Sequence, residues 1–144
     1  MATITVRATY PVAPALVWEE LRHIDRHVHW MSDALAIDFA SDKREGVGTT
    51  FRCTTKVGPL VTHDLMSITR WDEGREMGVD HVGLVKGSGV FTLGGTSTTT
   101  LTWRETITFP WWGLGRLGAL AASPVLRALW AKNLRRLGAR LALG

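Results

Sequence analysis

Residues 3–10 alternate Ile4, Val6, Ala8 and Tyr10 against Thr5, Arg7 and Thr9, the period-two pattern of a strand with one buried face. Pro11 ends it, because proline cannot donate to a strand ladder. Pro14 suits the first turn of a helix, where its missing N–H costs nothing. Residues 15–23 then place Leu16, Val17 and Leu21 together and Glu19, Glu20 and Arg22 outside, which predicts a short helix. A second short helix is expected over 24–30, with Asp25 near its start.

From residue 33 to 109 no helical period survives. Turn signals recur at 42–46, 58–59, 72–74, 86–87 and 94–95, each containing glycine. They separate predicted strands over 34–40, 48–57, 60–71, 75–85, 89–93 and 97–109. Turns this short join antiparallel neighbours, since parallel pairing needs a long crossover. In the last strand Leu101, Trp103, Glu105, Ile107 and Phe109 share one face, and Thr100, Thr102, Arg104, Thr106 and Thr108 the other. The first face must be the buried one. Glu105 is then an acid on an apolar face, costly unless paired or protonated.

Pro110 stops that strand, and residues 111–122 read as a Gly- and Leu-rich bridge. Ser123 is a good N-cap and Pro124 a good first helical residue. Leu126, Trp130, Leu134, Leu137 and Leu141 follow at steps of 4, 4, 3 and 4, one stripe of a helix reaching the C-terminus. About twenty residues at roughly 1.5 Å each give a rod near 30 Å long. A helix with one apolar stripe must lie across a sheet with one apolar face. The expected fold is α+β in one domain over residues 1–144. A seven-stranded curved antiparallel sheet wraps around a long C-terminal helix, with two short helices after the first strand. Strong curvature would leave a pocket beneath the helix.

Charge sharpens this picture. Of 17 Lys and Arg, six lie in residues 111–144, which contain no acid; the preceding residues hold eleven bases against 13 acids. Arg127, Lys132, Arg135, Arg136 and Arg140 fall mainly off the apolar stripe, so the basic pI belongs to one solvated helix face. Nucleic-acid binding is not expected, because no aromatic and basic interleaving occurs on the sheet. The single cysteine, Cys53, excludes an intramolecular disulfide and a multi-cysteine zinc site. The N-terminus alternates like a strand and lacks a signal peptide's apolar block, and the longest uncharged window, 87–103, is broken by Gly94-Gly95. A cytoplasmic location is expected.

The order of strand, two small helices, six-stranded meander and long helix resembles the helix-grip (START/Bet v 1-like, SRPBCC) superfamily. Ala13-Pro14-Ala15-Leu16-Val17-Trp18 resembles its Pro-x-x-Val-Trp opening, and His29-Trp30 sits where a tryptophan often closes the second small helix. Gly46-Val47-Gly48, and Gly94-Gly95-Thr96 leading to Leu101-Thr102-Trp103, resemble the polyketide cyclase/dehydrase and lipid transport-like branch. The resemblance covers essentially the whole chain. It implies a cavity for a hydrophobic guest, and in aromatase/cyclases a reaction resting on pocket Arg, Tyr, Ser or His. No short motif marks those positions here, and the one tyrosine, Tyr10, ends the first strand.

Candidate chemistry is sparse. His63 and His81 each lie nine positions from Asp72, at the turn 72–74, and could face each other, near Glu105. Such a group suits acid–base work, against the simpler reading of two half-exposed histidines. His23, His27 and His29 read as surface residues, without a zincin motif. Cys53, alternating with Phe51 and Thr55, reads as a packed side chain rather than a nucleophile. Trp30, Trp103 and Trp130 come from the three elements expected around the cavity, out of seven tryptophans. Trp111 and Trp112, in the bridge beside the basic helix, are candidates for a transient membrane contact or a homodimer contact.

The expected function is binding of a hydrophobic small molecule (lipid, polyketide-like or aromatic). The expected lining is Trp30, Phe51, Phe91, Trp103, Leu126 and Trp130, with His63, His81 and Glu105 as orienting polar groups. No metal or cofactor is expected. The alternatives are a cyclase or dehydratase-type enzyme, with Glu105, His63 or His81 as acid–base group, and a ligand-free partner or oligomer module with a filled interior.

Overall fold

The computed structural model describes residues 2–83, 86–108 and 116–143, with the backbone alone at 116–120 and 143. Strand β1 (Ala2–Tyr10) is followed by helix α1 (Pro14–Arg22) and a 3₁₀ helix (Ile24–His29). Strands β2 (Ala34–Phe39), β3 (Thr50–Val57), β4 (Leu60–Asp72), β5 (Glu76–Val82), β6 (Lys86–Gly94) and β7 (Thr99–Thr108) come next, then helix α2 (Arg116–Leu143). The strands form one curved antiparallel sheet in the order β1-β7-β6-β5-β4-β3-β2. β1 pairs with the last strand, Ile4 opposite Glu105 and Val6 opposite Trp103. The two small helices therefore carry the chain from one edge of the sheet to the other.

The alternation in β7 holds: Thr99, Leu101, Trp103, Glu105 and Ile107 are buried, and the residues between them are not. Beneath this face runs the stripe of α2, with Trp130, Leu134 and Leu137 buried. Tyr10 Oη donates to the Leu134 carbonyl at 2.7 Å. A Cβ on Gly138 would stand 3.0 Å from the Tyr10 ring, so glycine lets ring and helix backbone meet. Arg140 pairs with Glu20 at 2.7 Å, and Arg136 donates to the His29 carbonyl at 3.4 Å. Elsewhere around α1, the Trp18 and Trp71 indoles both donate to Glu73, at 3.1 and 2.8 Å. Arg22 bridges Glu73 and Glu45 there.

Three local expectations are corrected. Ser123 does not cap α2, which starts at Arg116 and carries Pro124 inside. The strong helix formers Ala119-Leu120-Ala121-Ala122 carry the helix through a proline that would otherwise stop it. Lys86-Gly87 is not a turn: Lys86 pairs with Thr108 and Gly87 with Ile107. A Cβ on Gly87 would collide with the Thr106 carbonyl, so this glycine serves close strand approach. Third, β3 begins at Thr50, because Gly48 holds a φ of 96° and stays in the turn. Trp111 and Trp112, the candidate membrane or dimer contact, lie outside the described residues. Among the described residues no helix is long and apolar enough to cross a membrane.

Candidate functional site

The concave face of the sheet and α2 enclose a cavity of about 300 Å³. Inward positions of β3 to β7 supply its floor, among them Phe51, Cys53, Met66, Met77, Val79, Phe91 and Trp103. Leu126 and Trp130 come from α2, and Ile24, His27 and Met31 close the end under the small helices. Trp103 stacks on Trp130 at 5.2 Å between centroids, and Phe91 leans on Trp103 at 5.1 Å. These rings form a continuous aromatic wall.

Seven of the nine expected lining residues reach the cavity: Phe51, His81, Phe91, Trp103, Glu105, Leu126 and Trp130. Trp30 does not. It is fully buried behind the wall, 5.9 Å from Phe91 and 6.2 Å from Trp103, so it backs the lining. His63 does not either. It is exposed on the convex face, hydrogen-bonded to Thr54 Oγ1 at 3.1 Å. His81 stands opposite Met66 because the hairpin closes at Asp72–Glu76 and a bulge falls between Ile68 and Arg70. The two histidines therefore point to opposite faces.

Glu105 meets the requirement for a buried carboxylate. Trp103 Nε1 donates to its Oε1 at 3.1 Å, and His81 Nε2 lies 3.1 Å from its Oε2. The cavity has further polar groups that the sequence reading left out. Asp33 accepts from Asn133 Nδ2 at 2.7 Å; Asn133 Oδ1 accepts from the Ser32 N–H and hydroxyl at 3.0 and 2.8 Å. Asn133 is wholly buried and ties α2 to the start of β2. Burial raises the Asp33 carboxyl above its ordinary pKa, with a smaller contribution from the charge of Glu105. Asp64 lies on the floor with Thr62 donating to Oδ2 at 3.3 Å.

His27 corrects the reading of surface histidines. It is buried in the 3₁₀ helix, its Nε2 2.8 Å from the Leu21 carbonyl and its ring 5.2 Å from Trp30. Burial lowers its pKa to about 4, so it is neutral at neutral pH. His23 belongs to a different segment, the junction between α1 and the 3₁₀ helix. Cys53 lines the cavity, and burial raises its thiol pKa, which suppresses the nucleophilic thiolate. Among the described residues no three His, Cys, Asp or Glu side chains gather as a metal site.

No family model and no curated protein sequence matches the chain. Solved structures do. TTHA0849 from Thermus thermophilus superposes with a TM-score of 0.82 at 14% identity, over 99% of this chain and 98% of that one. The Zhui aromatase/cyclase from Streptomyces sp. R1128 gives a TM-score of 0.75 at 16% identity, over 98% of this chain and 93% of that one. Ara h 8.0201 gives 0.70 at 13% identity, over 99% of each chain. This chain has the helix-grip fold. At these identities the likeness concerns architecture alone. In this helix grip Trp130 of α2 stacks on Trp103 of β7, and inward residues of β3 to β6 line the guest space beside that contact.

Proposed function

We propose that this protein binds a hydrophobic small molecule, of lipid, polyketide-like or other aromatic type, in the cavity beneath α2. The observation that carries this reading is the open, mostly apolar space of about 300 Å³. It is about twice the ~150 Å³ cavity that accepts benzene, so a guest of two or three fused rings fits. A module with a filled interior would instead have these side chains packed against α2.

The test is uptake of N-phenylnaphthylamine, an uncharged fluorescent dye, with solvent extraction of freshly purified protein and mass spectrometry. Saturable uptake at one dye per chain, or a co-purifying apolar compound, supports the reading. The absence of both dye uptake and any extracted compound would sink it.

The His81–Glu105 contact favours a second reading, an acid–base enzyme of cyclase or dehydratase type working in the same cavity. It requires that Glu105→Gln abolish turnover of a polyketide-like substrate while dye affinity is kept.

A further inference from the structure

The cavity's ionisable groups are mostly of one sign. Asp33, Asp64 and Glu105 line it; among the described residues no Lys or Arg does, and the lining histidines are His27, neutral at neutral pH, and His81, whose Nε2 lies 3.1 Å from Glu105. Two of the acids have prepared seats. A Cβ on Gly83 would collide with Asp64 Oδ1, and a Cβ on Gly89 with Glu105 Oε1, so two glycines leave the room these carboxylates occupy. Glu105 is satisfied by Trp103 and His81. Asp64 is not: the residue is 8% exposed and its Oδ1 is buried without a hydrogen-bond donor among the described residues. Such an oxygen costs about 1–3 kcal/mol, and more when charged, unless a donor arrives.

The field inside has the same sign. Burial raises the Cys53 thiol pKa, and the charges of Asp33 and Asp64 raise it further, as the charge of Glu105 does for Asp33. The stacked indoles of Trp103 and Trp130 add aromatic faces that attract a cation, and the Trp103 N–H is already given to Glu105.

Resting on the hydrophobic-ligand reading above, we propose that the guest is an apolar amine, bound with its nitrogen protonated toward Asp64, and that anionic amphiphiles such as fatty acids are rejected. A guest ammonium at Asp64 adds a donor to a carboxylate for which Thr62 is the side-chain donor among the described residues, in a charge-assisted bond about twice as strong as a neutral one. A ligand carboxylate would bring a like charge among three acids, with no Lys or Arg among the described lining residues to receive it and His81 already beside Glu105.

The experiment uses the full chain and a matched series, naphthylethylamine, naphthylethanol and naphthylacetate, each displacing N-phenylnaphthylamine at neutral pH. The amine is expected to bind roughly 10-fold or more tighter than the alcohol, and the carboxylate weakest. In Asp64→Asn the advantage of amine over alcohol should shrink to about 3-fold or less. Unchanged dye affinity certifies that the variant keeps its cavity, and the wild-type series decides the matter if the variant does not fold. An alcohol or carboxylate that binds as well as the amine overturns the proposal while leaving the cavity reading standing. If the dye itself does not enter, the cavity reading fails, and this proposal with it.

Discussion

The Glu105 carboxylate on β7 occupies the space that a side chain on Gly89, its cross-strand partner on β6, would need. Gly89→Ala therefore forces Glu105 away from the Trp103 indole and the His81 imidazole. The expected loss is about 1–3 kcal/mol, seen as a lower urea midpoint at unchanged slope. In a Glu105→Ala background the same glycine change should cost less than half as much. Equal costs in both backgrounds would show that the two residues do not compete for this space.

His27 makes stability fall toward acid. Its folded pKa of about 4 lies below the ordinary 6.5, so between these values the unfolded chain binds the extra proton. Stability is therefore full above about pH 6.5 and declines as pH drops toward 4, by about 3 kcal/mol. Urea unfolding across this window checks it, with His27→Gln as the comparison. The same pH slope in His27→Gln would assign the effect to another group.

Filling the cavity should separate binding from folding. Cys53 is 6% exposed and lines the floor, and Cys53→Phe places a ring where the guest would lie. Dye affinity is expected to fall roughly 10-fold or more, while any overpacking costs no more than about 1–3 kcal/mol. Dye binding that survives the substitution in a folded variant places the dye elsewhere.

Asn133 is the polar tie between α2 and the start of β2. Asn133→Leu keeps volume but strips donors and acceptor from Asp33 and Ser32, at about 1–3 kcal/mol for each buried group left unpaired. Loss of this hydrogen bond also removes an influence that lowers the Asp33 pKa, so Asp33 should titrate higher still. Denaturation together with carboxyl titration by NMR tests both. A neutral effect on stability would mean that Ser32 and Asp33 find other partners.

Much of the frame was legible in the chain because its causes are local. Leu101, Trp103, Glu105 and Ile107 share a face through the period of the strand alone, and Trp130, Leu134 and Leu137 share a stripe through the period of the helix. That period marked Glu105 as an acid facing inward before any partner was known. It could not do the same for β4, where Val61 and Leu65 on one face match Met66 and Ile68 on the other. Asn133 was hidden differently, one position from Leu134 inside the apolar stripe, and its partners Ser32 and Asp33 are about a hundred residues away.

Only the assembled sheet decided which acids and histidines meet. Periodicity tells which residues of a strand point the same way, but not which residues lie opposite. The closure of the β4–β5 hairpin and its single bulge sent His63 outward and His81 inward. Trp30 became backing, and His27 was buried, because the small helices dock against β6 and β7 through Phe91 and Trp103. The guest space is a distance between two surfaces. Its size depends on where Tyr10 and Asn133 hold α2 against the sheet, which is set by contacts between residues far apart in the chain.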